Sequence, residues 1–278
     1  MTATTTPRRI ERAVEVVQGP SWALMARSFG SLLHRDVVVT GKDLAAFVAQ
    51  VLLQPVFFLF VFGKLLTGLG YTTSNYASLL FPGLVALTAT VTAIQTMAFP
   101  LVAEFGWTKE IEDRLLAPLP LGAVAAEKLL FASLRAMVAS AVMFPIGIGV
   151  LGSVPYRVAG LGLLVGVALL GSLVGACIGM TIGTFVPPTK ISLAFSLIFT
   201  PLLFTGATQY PWPSLAQLRW FQVVTAVNPI TYVSEGMRAA LVPDVPHIPG
   251  WICILALVGS LAVFGTAGVI GFRRRAID

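Results

Sequence analysis

The chain has 278 residues, of which 56% are hydrophobic and only 11% are charged, and its formal net charge is +6. Because soluble globular domains carry about 25% charged residues, this composition excludes a water-soluble domain. The apolar residues come in runs of about 20, the length of a helix that crosses a hydrocarbon layer. We therefore expect an all-α integral membrane protein, whose scattered cations favour contact with anionic lipid and not with nucleic acid.

The segment before the first apolar run predicts an amphipathic helix. In SWALMARSFGSLLHRDVV, Trp22 and Phe29 lie near one side of a helix, whereas Arg27 and Arg35 lie largely on the other. This spacing is typical of a helix that lies in the membrane surface. The alternative is a short helix packed on the cytosolic ends of the spans. We assign residues 1–43 to a cytoplasmic tail and this helix, and expect the first span to act as an uncleaved insertion signal.

The apolar runs predict six membrane spans within a transmembrane domain of residues 44–272, followed by a cytoplasmic tail of residues 273–278. The fifth run is short, and the Pro- and aromatic-rich stretch after it is as consistent with a re-entrant or surface segment as with a loop. The predicted spans are Leu44–Leu66, Leu79–Val102, Leu129–Leu151, Val158–Val186, Ile191–Ala207 and Trp251–Phe272.

The distribution of cations predicts the orientation. With the N-terminus inside, 13 of the 18 Lys and Arg residues are cytoplasmic, four are external, and Arg135 lies within the third span. Cytoplasmic segments carry the excess of Lys and Arg in membrane proteins, so we expect both termini in the cytoplasm.

The fourth predicted span carries glycine once per helical turn. Small residues at this spacing form a groove that allows close approach of another helix, of the same chain or of a second copy. The four residues are Gly171, Gly175, Gly179 and Gly183.

Sequence motifs for catalysis and for energy supply are absent. The chain has only His34 and His247, no HExxH or GxSxG motif, and no P-loop. Cys177 and Cys253 fall in apolar runs and are most simply packing residues. The spans also lack the spaced acidic residues of proton-driven carriers. Transport by this chain would need to be driven by another polypeptide.

The loop between the second and third spans predicts a docking element. Its sequence AEFGWTKEIEDRLLAPLP is compatible with a short helix that ends before Pro118. One apolar stripe beside a charged face suits docking in a groove of a cytosolic partner, although an ordinary surface loop is the alternative. The stripe contains Trp107, Ile111 and Leu115, and the charged residues are Glu104, Lys109, Glu110, Glu112, Asp113 and Arg114.

The chain resembles the type-2 ABC exporter permeases, which include daunorubicin-resistance permeases and polysaccharide and teichoic-acid exporters. The resemblance rests on EIEDRLLAPLP followed by EKLL, on VNPITYVSEGMRAAL before the last span, and on the six-span plan with an amphipathic first helix. It implies that EIEDRLLAPLP is the coupling helix and that residues 209–242 form short external re-entrant helices. The external motif that it implies contains Asn228, Pro229, Glu235 and Arg238.

The resemblance also implies the partners and the location. Two permease copies, forming a homodimer or a heterodimer, would be served by separate cytosolic ABC ATPase subunits. ATP and Mg would bind to those subunits, and this chain would bind no cofactor or metal. We expect a multi-pass protein of the bacterial inner membrane.

We expect export of an amphiphilic drug, lipid or lipid-linked product. Export of a glycan is the first alternative, and a channel or a structural assembly subunit is the alternative from another class. Candidate pathway residues are Phe57, Phe58, Phe199 and Arg135, although aromatic residues also pack helices or face lipid. A mid-helix Arg costs about 2.5 to 3.5 kcal/mol on insertion scales. It therefore needs water, a substrate headgroup or a carboxylate such as Glu104 or Glu127, unless it reaches the interface.

Overall fold

The computed structural model describes residues 22–42, 44–73, 75–108 and 120–277, and every regular element in these ranges is a helix. This confirms the all-α prediction. The main α-helices are α1 Trp22–Lys42, α2 Leu44–Phe58, α3 Tyr76–Ala103, α4 Leu121–Leu151, α5 Leu161–Phe185, α6 Ile191–Phe204, α7 Arg219–Val227, α8 Pro229–Leu241 and α9 Gly250–Ile277.

Five helical segments within the described part of the chain are long and apolar enough to cross a membrane. The predicted fifth span is helical but shorter, because α6 has 14 residues and therefore a length of about 21 Å. A hydrocarbon layer is about 30 Å thick. The five long segments are Val51–Gly68, Tyr76–Gly106, Leu121–Leu151, Val158–Phe185 and Gly250–Ala276.

The helices extend beyond two predicted boundaries. The third span was predicted to begin at Leu129, but α4 begins at Leu121, directly after Pro120. The segment between them is rich in Ala, Glu and Lys, which favour helix while adding little hydropathy. At the other end of the chain, α9 continues through the three arginines to Ile277, where a tail was predicted. Cations in the last turn of a helix are stabilised by its dipole.

Helix α3 is the centre of the bundle. In the most apolar stretch of α3 78% of the residues are buried, compared with 17% for that of α9. It packs against α4, α5 and α8, while α9 packs mainly on α5. Helix α3 is therefore almost fully enclosed, and its contacts position α4, α5 and α8.

The glycine stripe of α5 faces helices of the same chain. A Cβ atom at Gly175 would lie 2.6 Å from the carbonyl oxygen of Thr90 in α3. At Gly171 it would lie 2.7 Å from Val233 of α8. Gly179 and Gly183 also face α3. The absence of side chains at these positions lets the helices approach closely.

The first two helices differ in regularity. In α1, Phe29 is half-buried while Arg27 and Arg35 are exposed, and the helix packs against α4. Its helical character is as predicted, whereas its location in the membrane surface stays a prediction. Helix α2 passes into a π-helical turn at Leu59–Leu65 soon after Pro55. Such turns are rare and mark local irregularity in a helix.

Candidate functional site

A buried ion pair joins the two helices that flank the predicted coupling loop. Lys128 Nζ of α4 donates to Glu104 Oε1 at 2.6 Å, and both side chains are less than 10% exposed. Glu104 begins the π-helical turn Glu104–Thr108 that continues α3. Because a buried charge is costly without its partner, the pair holds the ends of α3 and α4 together.

The structure describes only the first part of the predicted coupling helix. Glu104 and Trp107 belong to the π-helical turn. The loop helix beyond that turn stays a prediction. The other predicted coupling residues, Lys109, Glu110, Glu112, Asp113, Arg114 and Leu115, lie outside the described residues.

The base of this loop also contacts α5 and α9. The ring of Phe105 lies 5.7 Å from that of Phe272, and the Arg275 guanidinium lies 5.3 Å from the Phe105 ring centroid. Arg275 Nη1 donates to the carbonyl oxygens of Thr184 at 2.9 Å and Val186 at 3.1 Å. Arg275 thus satisfies carbonyl groups at the C-terminal end of α5, which have no partner within their own helix.

Sequence reasoning missed these loop-base contacts. The run of three arginines after an apolar span indicated a cytoplasmic end. It did not indicate which Arg would turn back onto another helix, because that depends on how α5 and α9 pack. We call Glu104, Phe105, Lys128, Phe272 and Arg275 the loop base.

Arg135 lies on α4 with its guanidinium carbon 3.7 Å from the centroid of the Phe47 ring. Within the described part of the chain it forms no ion pair with Glu104 or Glu127. This arrangement is a cation–π contact, which stabilises a cation that is partly removed from water.

The predicted pathway aromatics do not surround Arg135. Phe58 stacks on Phe62 at 5.6 Å, and Phe199 stacks on Phe195 at 4.8 Å. Phe57 is exposed on the outside of the chain. The two cavities that Arg135 lines contain none of the three predicted rings. A single chain therefore does not assemble these residues into one pathway.

The predicted external motif forms a buried polar network. Glu235 and Arg238 pair with each other on α8, and both have 0% exposure. Arg238 Nη2 also donates to the carbonyl oxygens of Ala207 at 2.7 Å and Thr208 at 3.0 Å, and Nε donates to that of Leu79 at 3.3 Å. One guanidinium thus joins α8, the segment after α6, and α3.

The Glu235 carboxylate completes this network from the other side. Its Oε1 accepts the backbone N–H of Trp212 at 2.9 Å, and its Oε2 accepts that of Ile248 at 2.9 Å. The two ends of the region between α6 and α9 are thereby attached to the same carboxylate.

Asn228 and Pro229 begin helix α8. Asn228 Oδ1 accepts the N–H of Ile230 at 2.9 Å, which is an N-cap, and Pro229 occupies the first turn, where its missing N–H is harmless. Asn228 Nδ2 donates to the Leu202 carbonyl of α6 at 2.7 Å. The four motif residues thus position the short helices; Glu235 and Arg238 are inaccessible, and Asn228 is nearly so.

Metal binding has no candidate site in the described ranges. No group of three or more His, Cys, Asp or Glu side chains within them could hold a metal ion.

The comparison with protein families agrees with this architecture. The family model described as "ABC-2 type transporter" matches residues 27–242, which include most of α1, all of α2 to α8 and the loop between α3 and α4. No curated protein matches the chain. Since the family match covers well over half of the 278 residues, the chain belongs to the ABC-2 type transporter family and is a membrane subunit of an ABC transporter.

Proposed function

We propose that this chain is the permease of an ABC exporter that moves an amphiphilic drug, lipid or lipid-linked product outward. Two permease copies enclose the pathway, and separate ATPase subunits bind the cytoplasmic loop between α3 and α4. The observation that carries this proposal is the exposure of α6 in the single chain.

Helix α6 presents two different stripes away from the rest of the chain. Leu193 and Leu197 are 61% and 66% exposed. On the adjacent side, Ser192, Ser196 and Thr200 are also exposed, at the spacing of one helical turn. Polar side chains in membrane helices are most favourable where they contact another helix or a polar cavity, and not lipid. A second copy placed against α6 would supply both an apolar contact and a polar wall.

The loop base supports transmission of force from a cytosolic partner. The Lys128–Glu104 pair ties α3 to α4, and Arg275 ties α9 to the end of α5. A rigid displacement of the loop would therefore be passed to four helices together. This chain has no P-loop of its own, so the force comes from ATP hydrolysis on the partner.

Co-purification tests the partnership with an ATPase. The permease is co-expressed with a candidate ABC ATPase subunit, and complex yield and ATP turnover are measured. We expect Glu112→Lys combined with Asp113→Lys to weaken both, because the change reverses the charge of the loop. Asp244→Lys, at an exposed position on the predicted external side, is the control and should leave both unchanged. Undiminished yield and turnover in the double variant would contradict the assigned docking element.

Glycan export is the second candidate, and one observation favours it. Phe99, Phe195 and Phe199 form a run of adjacent rings whose neighbouring centroids are 4.8 Å apart. Sugar rings can slide along such an aromatic surface. Stimulation of ATP turnover by a lipid-linked glycan and not by apolar cations or drugs would favour this candidate. A channel, in contrast, would conduct ions or solutes in the absence of the ATPase.

A further inference from the structure

Two cavities meet at Arg135, near the middle of α4. One has a volume of about 190 Å³ and is lined by charged and polar side chains that include Asp36, Thr96 and Lys128 and by apolar ones that include Met97 and Leu101. The other has a volume of about 370 Å³ and is lined almost entirely by apolar side chains. Arg135 lines both, so its guanidinium lies between a cavity that contains other charged side chains and an apolar groove.

The apolar groove lies between α1, α2 and α4 and is open on its outer side. Val37 of α1 is 50% exposed, and Leu134 and Val138 of α4 are 42% and 53% exposed. Phe47 of α2 forms its inner wall. An open groove of this composition in a membrane helix bundle is suited to a hydrocarbon chain, since the surrounding solvent is lipid.

The Arg135 side chain has unused hydrogen-bonding capacity. Its Nε is buried and has no hydrogen-bond partner. Its guanidinium lies over the face of the Phe47 ring, which attracts a cation but has no lone pair to accept a hydrogen bond. A buried donor without an acceptor is unfavourable, and a guanidinium favours a planar or tetrahedral oxyanion as acceptor.

The other charged side chains that line the first cavity already have partners. Lys128 donates to Glu104, and Asp36 accepts from Arg35 Nε at 3.3 Å. Among the described residues, Arg135 is the cation on these cavity walls that has no ion pair with a carboxylate. The Arg135 guanidinium, which lies where the apolar groove ends, therefore has no carboxylate partner among the described residues.

We propose that this site binds an anionic phospholipid of the cytoplasmic leaflet, with the phosphate on Arg135 and an acyl chain in the groove. The assignment of the leaflet rests on the orientation in the proposed function. A phospholipid supplies both an acyl chain for the groove and an oxyanion for the guanidinium. The bound lipid would connect helix α1 to the span α4 and so fix the position of α1.

Native mass spectrometry of the purified full-length protein in detergent tests this site. The added ligands are phosphatidylglycerol, phosphatidylcholine and inorganic phosphate, each alone. We expect phosphatidylglycerol to bind better than phosphatidylcholine. Arg135→Gln should weaken phosphatidylglycerol binding about tenfold, because it removes a charge-assisted hydrogen bond. Arg157→Gln removes an exposed cation elsewhere and should leave binding unchanged.

A second variant tests the groove without touching the charge. Gly41 lines the apolar groove, and a Cβ atom there would meet nothing within 4 Å. We expect Gly41→Phe to fold normally and to weaken phosphatidylglycerol binding by occupying the space of the acyl chain. This variant keeps the proposal testable if Arg135→Gln does not fold.

Three results would overturn the proposal. They are undiminished phosphatidylglycerol binding in folded Arg135→Gln or in Gly41→Phe, equal binding of phosphatidylcholine, and inorganic phosphate binding as tightly as the lipid. The last result would indicate a simple anion site. Since the measurement uses neither ATPase nor nucleotide, its failure leaves the exporter function standing, and loss of ATP-driven transport leaves the lipid site standing.

Discussion

Glu235 and Arg238 lie one turn apart on α8 and form an ion pair from which solvent is completely excluded. Each partner also binds backbone groups of other segments, at Ala207, Trp212 and Ile248. The pair therefore fastens the region between α6 and α9 to the bundle. The two buried charges compensate each other. Removal of one would leave the other buried without an opposite charge, which is strongly unfavourable.

We predict that Arg238→Met lowers the free energy of unfolding by about 3–5 kcal/mol, because it leaves the Glu235 carboxylate buried without its partner. Denaturant unfolding of the purified protein in detergent measures this change. Arg219→Met, at an exposed position, is the matched control and should unfold like the wild type.

The double variant Glu235→Met with Arg238→Met should be less destabilised than the sum of the two single variants. It removes both buried charges together, so no carboxylate stays buried without a positive partner. Equal unfolding midpoints of Arg238→Met and the wild type would show that the pair does not fasten this region.

The contact of α5 with α3 predicts opposite outcomes for two glycines of the same helix. At Gly175 an added methyl group would lie 2.6 Å from the carbonyl oxygen of Thr90, whereas at Gly166 it would meet nothing within 4 Å. We expect Gly175→Ala to cost about 1–3 kcal/mol through overpacking. Gly166→Ala should be neutral or slightly stabilising, because Ala favours helix. Thermal unfolding measures both, and equal effects of the two changes would contradict the close packing.

Arg275 and Arg274 provide a matched pair at the end of α9. Arg275 donates to carbonyl groups of α5, while Arg274 is exposed. We expect Arg275→Gln to lower stability by about 1–3 kcal/mol and Arg274→Gln to have little effect, since only the first leaves acceptors without a charged donor. In the complex, Arg275→Gln should also lower permease-dependent ATP turnover. A wild-type unfolding midpoint and turnover for Arg275→Gln would exclude a role at the loop base.

The sequence was sufficient for the parts of the fold that depend on local pattern. Long apolar runs mark the spans because hydropathy and helix length act within one segment. Hydropathy does not mark where a helix begins when its first residues favour helix but are less apolar, as between Leu121 and Leu129 of α4, before the predicted span. The predicted fifth span reached Ala207, but α6 ends at Phe204. Ala207 instead has a positive φ of 48° and offers its carbonyl to Arg238.

The candidate site was only partly predictable, for a different reason. Glu235 and Arg238 were singled out by resemblance, yet their partners are backbone groups far away in the chain. The contact of Arg135 with Phe47 depends on the packing of α2 against α4. A pair of Arg135 with Glu104 or Glu127 was one of several alternatives for this residue, and in the structure Lys128 pairs with Glu104. Pairings of this kind require the positions of several helices, which local patterns do not contain.

Under the proposed function, this permease moves its substrate only when a partner ATPase hydrolyses ATP. Uptake of a fluorescent amphiphile into inside-out vesicles, made with the permease alone, with the ATPase alone and with both, tests it most directly. We predict ATP-dependent accumulation against a gradient only with both, and its loss in the Glu112→Lys and Asp113→Lys variant. Accumulation against a gradient by the permease alone, without ATPase and nucleotide, would contradict the claim.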